Sequence, residues 1–174
     1  IPKKLKLINC VGGGSSSFGF WNEFMHYDKK QVEFIGVEAG GPKNSKKHAA
    51  PLTYNSKIGV LHGAMQYVVQ NSDGQIEETE SISAGLDYSG VSPLHCFLKD
   101  TKRARYCAAT DEQALNAYQL VTKFENLNPS LEPSHAFAEA IKIAPKMSRD
   151  TIIIVNSCGD AHKDRDILKQ RLGK

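Results

Sequence analysis

Six consecutive residues, Gly12-Gly13-Gly14-Ser15-Ser16-Ser17, carry the first chemistry legible in this chain. Glycine has no Cβ, so its backbone can approach an anion closely and adopt left-handed conformations. Successive backbone N–H groups at a helix start form a concavity that attracts phosphate, and serine hydroxyls add donors. The run follows the apolar residues Leu5, Leu7, Ile8 and Val11 and precedes an apolar-periodic segment, residues 18–24. It therefore reads as strand, turn and helix start. It lacks the lysine of a G-x-x-x-x-G-K-[ST] loop, and Ser17 stands where the last glycine of G-x-G-x-x-G would fall. Those departures weigh against ATP and dinucleotides and favour a small phosphorylated cofactor, although such a stretch also serves as a plain turn.

The thiols are the next reactive groups. Cys10, Cys96, Cys107 and Cys158 show no C-x-x-C spacing and sit in different segments. That pattern fits reduced thiols in a cytoplasmic protein better than a disulfide frame or a zinc site. The net charge of +3 comes from scattered lysines with no basic stripe interleaved with aromatics, so nucleic acid is not an expected partner. Residues 43–48 read as a solvated loop. No apolar run approaches the roughly 18–20 residues of a membrane span. A signal-peptide pattern is not seen either, and the start at Ile1 is compatible with a fragment. The 174 residues suit one domain, with 40% hydrophobic content.

The elements that must position these groups alternate. Residues 15–27 form an amphipathic helix, with Phe18, Trp21, Phe24 and Met25 on one face. Residues 31–38 form a strand, ended by Gly40-Gly41-Pro42. Residues 43–53 are a loop, residues 59–70 are mixed with a strand at Tyr67-Val68-Val69, and Asn71-Ser72-Asp73-Gly74 is a tight turn. Residues 81–93 are a Ser/Gly-rich loop carrying Asp87. Thr110 and Gln113 make a capping box that opens a helix to about Phe124, and Ser134 caps another over residues 135–146. The β-branched run 151–155 is a buried parallel strand, followed by a last helix to about Leu172. The class is α/β, a mostly parallel open sheet with helices on both faces. Ligands of such sheets bind beyond the carboxyl ends of strands, which puts residues 12–16 and Asn156-Ser157-Cys158-Gly159 at the same edge.

Several strings occur in one order along nearly the whole chain: Val11-Gly12-Gly13-Gly14-Ser15, Gly36-Val37-Glu38-Ala39-Gly40-Gly41, and Asp73-Gly74-Gln75-Ile76-Glu77-Glu78. Then come Ser81-Ile82-Ser83-Ala84-Gly85-Leu86-Asp87-Tyr88, Leu131-Glu132 with Ser134-His135-Ala136, and Val155-Asn156 with Gly159 and Lys163-Asp164. Together they resemble the tryptophan synthase β subunit, a fold-type II pyridoxal-phosphate enzyme. The resemblance covers the C-terminal half of that subunit. It implies a single α/β domain over residues 1–174 that holds the cofactor's phosphate, while the half with the cofactor-binding lysine lies outside this sequence. His162-Lys163 is not that lysine's motif, because it matches the family's closing Lys-Asp instead.

Residue by residue, the resemblance implies that Gly12, Gly13, Gly14, Ser15 and Ser16 form the phosphate cup. Cys158 takes the place of a serine at the pyridine nitrogen, a neutral but weaker donor; a cysteine there reads equally well as a small buried hydrophobe. Asp87 matches an aspartate that meets the substrate hydroxyl. Glu132 matches a catalytic glutamate near the cofactor ring, and its place just before a capped helix keeps a cap role open. Leu61 and His62 match two aromatic positions of the indole channel. The carbonyls of Gly12, Tyr88 and Gly90 match a monovalent-cation site for Na+ or K+. Departures cluster: Ser16 for Asn, Asp160 for Arg, and Lys102 and Asn126 for glycines.

The expected activity of the intact subunit is replacement of the L-serine hydroxyl by indole, giving L-tryptophan and water, with an α subunit and a second β subunit as partners. This chain alone, without the lysine, is expected to be inactive. The alternatives are a non-catalytic or degenerate remnant that holds phosphate, or another fold-type II β-replacement enzyme of the cysteine synthase kind.

Overall fold

The computed structural model describes residues 4–173. The strands are β1 (Lys4–Cys10), β2 (Val32–Ala39), β3 (Lys57–Leu61), β4 (Ala64–Val68), β5 (Ala104–Ala109) and β6 (Thr151–Val155). The helices are α1 (Ser15–Trp21), α2 (Pro93–Asp100), α3 (Asp111–Glu125), α4 (Leu131–Ile143) and α5 (Arg165–Leu172). The main sheet has the order β5-β2-β1-β6, and all three pairings are parallel. Strands β3 and β4 form a separate antiparallel hairpin.

Both faces of the sheet are covered, as the apolar run of β2 requires: seven of its eight residues, all but Glu33, are buried. On one face Leu5, Leu7, Val32 and Phe34 pack under Trp21 and Leu98. Trp21 stacks on Phe34 with ring centroids 5.1 Å apart, and the Arg103 guanidinium lies over the Phe34 ring, 3.8 Å from its centroid. On the opposite face Ile8, Cys10, Ile35 and Val37 meet Ala136 of α4. The expected class, a mostly parallel open sheet with helices on both faces, is the observed one.

Four readings need correction. The helix after the glycine turn is α for only seven residues and continues as a 3-10 turn, Asn22–Phe24. The mixed segment is a hairpin: His62 and Gly63 both have positive φ, 52° and 75°, the two-residue turn that suits the twist of paired strands. Helix α4 starts at Leu131, with Ser130 and not Ser134 at its N-cap; the Ser134 hydroxyl donates back to the Ser130 carbonyl at 2.7 Å. Glu132 thus lies inside the first turn rather than before it. Finally, β6 is parallel as expected but is an edge strand, and Ile152 and Ile154 are exposed. Helix α2 and strand β5 carry weak sequence signals and appear only in the structure.

Candidate functional site

At the carboxyl edge of the sheet a cavity of about 230 Å3 is lined by Cys10, Gly12, Gly13, Gly14, Ser15, Ser16, Gly85, Leu86, Glu132 and Cys158. Its walls come from four parts of the chain: the β1–α1 turn, the loop before α2, the first turn of α4, and the segment after β6. Gly12–Gly14 N–H groups have no carbonyl partner among the described bonds, and the first amides of a helix have none within it.

The three glycines differ in what they permit. A Cβ on Gly14 would lie 2.2 Å from the His95 ring, and its φ of 96° already favours glycine. A Cβ on Gly12 would meet the Gly85 carbonyl at 2.6 Å. Gly13 has nothing within 4 Å of that position and is exposed on the cavity. The first two glycines let the protein pack against itself; the third leaves room for something else.

Beneath the turn lies a network the sequence did not signal. The buried His95 Nε2 is 2.8 Å from both the Gly14 carbonyl and Ser17 Oγ, while Nδ1 is 2.8 Å from the Tyr106 hydroxyl. Burial lowers the His95 pKa, so the ring is neutral; Nε2–H then donates to Gly14 and Nδ1 accepts from Tyr106. Tyr106 in turn packs against Gly36, where a Cβ would be 2.6 Å from its ring.

Ser16 is held by two amides. Asn9 Nδ2 donates to Ser16 Oγ at 3.4 Å and Asn156 Nδ2 at 3.3 Å. Asn9 Oδ1 also lies 3.8 Å from the sulfurs of both Cys10 and Cys158. The sulfurs themselves are 3.5 Å apart. The Cys10 thiol facing Cys158 lowers Cys158 to about 6, and the same contact with burial raises Cys10 well above the ordinary thiol value. Position 9, in the middle of a strand pattern, offered no sequence cue to this role.

Glu132 joins three walls. Its Oε1 accepts from the Gly85 amide at 2.9 Å, and the Lys163 ammonium lies 2.9 and 2.8 Å from its two oxygens. Burial opposes ionisation here, but the Lys163 ammonium and neighbouring donors hold the carboxyl down at about 2. Lys163 is also 2.6 Å from Asp164, whose second oxygen accepts the Leu131 amide at 2.8 Å. The closing Lys-Asp pair thus clamps the segment after β6 onto the first turn of α4.

Not every anticipated residue reaches this cavity. Asp87 is exposed and accepts from Thr79 Oγ1 at 2.6 Å, one residue beyond the lining Leu86. Leu61 and His62 sit at the tip of the β3–β4 hairpin; His62 stacks on Tyr88 with centroids 5.7 Å apart and Nδ1 3.0 Å from its hydroxyl. A Cβ on Gly90 would touch Leu61 at 3.0 Å, so Gly90, Leu61, His62 and Tyr88 form a neighbouring patch. Asp160 turns its carboxylate to the amide and ring of His162, away from the cavity lining. Among the described residues no helix is long and apolar enough to cross a membrane.

No family model matches the chain. A protein named tryptophan synthase beta chain from Allorhizobium ampelinum is 50% identical over 168 residues, which is 96% of this chain and 41% of that protein. A solved fungal L-serine ammonia-lyase from Rhizomucor miehei superposes with a TM-score of 0.66 at 18% identity, covering 99% of this chain and 50% of that one. The second likeness speaks for the fold alone. The chain spans less than half the length of the curated relative it matches and half of the solved chain. The resemblance read from the ordered strings is therefore borne out: this chain is similar through nearly all its length to part of a tryptophan synthase beta chain.

Proposed function

We propose that this chain is the phosphate-anchoring part of a pyridoxal-phosphate enzyme of the tryptophan synthase β type. The observation that carries the reading is the cavity itself. It gathers the glycine turn, Glu132 and Cys158 around a position kept open by Gly13. The donor set suits the cofactor: amides of residues 12–16 with the hydroxyls of Ser15 and Ser16 for the phosphate, and the Cys158 thiol and Glu132 nearer the ring. When bound, pyridoxal phosphate supplies an electron sink for bond cleavage next to an amino acid's α-carbon.

This chain's own residues bind and orient. The His95–Tyr106 network fixes the turn. Asn9 and Asn156 fix Ser16, leaving its hydroxyl proton to donate. Lys163 keeps Glu132 ionised. The activity of the intact protein is replacement of the L-serine hydroxyl by indole, in the cytoplasm, with an α subunit and a second β subunit. A segment outside this sequence supplies the lysine, as the resemblance implies, while Lys163 is engaged by two carboxylates. Asp87 meets the serine hydroxyl, Leu61 and His62 line the indole route, and the carbonyls of Gly12, Tyr88 and Gly90 take Na+ or K+.

That engagement of Lys163 also favours a second reading, a non-catalytic phosphate-holding module. Titration with pyridoxal phosphate, followed by absorbance and by competition with inorganic phosphate, tests the first step. Saturable binding that weakens in Gly13→Ala is the expected result; no saturable binding overturns both readings. Serine-plus-indole turnover on mixing with the complementary half separates the two.

A further inference from the structure

Two sulfurs 3.5 Å apart at the wall of a solvent-reachable cavity form a reactive pair as well as a packing contact. Cys10 closes β1 and Cys158 follows β6, adjacent parallel strands in register from Lys4↔Thr151 to Ile8↔Val155. The two thiols already face each other across these strands, and a disulfide needs the sulfurs to close from 3.5 Å to about 2.05 Å. Both residues line the cavity, Cys158 half-buried and Cys10 almost fully buried behind it. A small oxidant entering the cavity meets Cys158 first.

We propose that Cys158 and Cys10 are a reversible oxidation site, with Cys158 the residue attacked by a hydroperoxide and Cys10 the residue that resolves it into a disulfide. The Cys158 thiolate attacks the distal peroxide oxygen. The O–O bond breaks, the alkoxide leaves and takes a proton as the alcohol, and Cys158 becomes a sulfenic acid. The Cys10 sulfur then gives up its proton and attacks Cys158 Sγ; the S–O bond breaks and hydroxide leaves as water. Two thiols lose two electrons, and the peroxide is reduced to alcohol and water. The lowered Cys158 pKa and the raised Cys10 pKa agree with this division of roles. Cys96 lies outside the cavity lining, as does Cys107, whose thiol burial pushes up to about 12; both serve as internal controls.

The cross-link stands on this geometry alone. Its consequence rests on the function proposed above: a disulfide removes the thiol donor and pulls Cys158 toward β1, away from the ring position, so the oxidised chain loses cofactor binding.

The test is treatment of the chain with hydrogen peroxide, blocking of remaining thiols with N-ethylmaleimide, and mapping by mass spectrometry. The tryptic peptides holding Cys10 (residues 7–29) and Cys158 (residues 150–163) are expected to be joined, and dithiothreitol to separate them. In Cys10→Ala, dimedone should label Cys158 as the trapped sulfenic acid; in Cys158→Ser, Cys10 should stay reduced. Oxidation of Cys158 to sulfinic acid with Cys10 still a thiol in the unaltered chain overturns the proposal, as do cross-links that join separate chains or involve Cys96 or Cys107. A cross-linked chain that binds pyridoxal phosphate like the reduced one overturns the consequence. A reduced chain that never binds it overturns the proposed function and leaves the mapping result intact.

Discussion

The His95 ring occupies the space that a side chain on Gly14 would need, with Nε2 2.8 Å from the Gly14 carbonyl. The turn is thus shaped from below by a buried imidazole rather than by its own sequence alone. Two substitutions one residue apart should therefore behave differently. Gly14→Ala collides with His95 and is strained at φ 96°, so it should cost on the order of 2–4 kcal/mol by urea unfolding. Gly13→Ala meets nothing within 4 Å and should leave stability within about 0.5 kcal/mol while weakening cofactor binding. Equal loss of stability in both would refute this division.

Lys102 and Asn126 both adopt left-handed backbone, φ 55° and 52°, just past the ends of α2 and α3. They are also the two positions where the resemblance leads one to expect glycine. A lysine there bears most of the left-handed penalty, whereas asparagine tolerates the region better, so Lys102→Gly should stabilise by about 1 kcal/mol and Asn126→Gly by a few tenths. Calorimetric melting temperatures of the two variants check the order; a fall in either contradicts it.

Glu132 should make the fold acid-sensitive in one window. Its carboxyl is held at about 2 in the folded chain, against an ordinary value near 4.5. A depressed carboxylate contributes stability above its unfolded pKa and loses it as pH falls, here from about 4.5 toward 2. Glu132→Gln should be less stable at pH 6 and should flatten the profile between those limits. An unchanged slope in unfolding free energy would show that the clamp with Lys163 contributes nothing.

Two fully buried groups pull in opposite directions at milder pH. Glu38 accepts from the Leu52 and Thr53 amides and the Thr53 hydroxyl at 2.7 to 3.1 Å, yet burial pushes its pKa up to about 7. A raised carboxyl binds more protons folded than unfolded, so its contribution falls as pH rises from about 4.5 to 7. His135 donates from Nδ1 to the Leu131 carbonyl, and burial lowers it to about 4, so its contribution falls as pH drops from about 6.5 to 4. Each is worth on the order of 3 kcal/mol at most, and they offset in the unaltered chain. Denaturation of His135→Leu across pH 4–7 should reveal the Glu38 slope, and Glu38→Gln the His135 slope.

What the sequence revealed and what it hid follow from range. The capping box at Thr110 and Gln113, with both of its hydrogen bonds present, is a local device and was legible. So were the apolar run of β2 and the turn of residues 12–14. The hairpin is not legible because its Ile58, Val60 and Met65 are exposed and pack against no core. The burial of β6 falls short of the expectation because a β-branched run cannot say whether its strand is central or at an edge. The partners of Glu132, the network under Gly14 and the meeting of Cys10 with Cys158 are tertiary, so no spacing announces them.

One consequence concerns how the cavity comes into being. Because Lys4 pairs beside Thr151, the glycine turn and the Cys158 wall come from segments far apart in sequence, Cys10 and Cys158 lying 148 positions apart. A ribosome that has released the turn has not yet made Cys158, Lys163 or Asp164. The complete pocket needs a parallel pairing between strands far apart in sequence, a long-range closure of the kind that slows folding. Ligand capture thus reports that β6 has docked beside β1, and a nascent chain stalled before β6 holds an anion turn without its Cys158 wall.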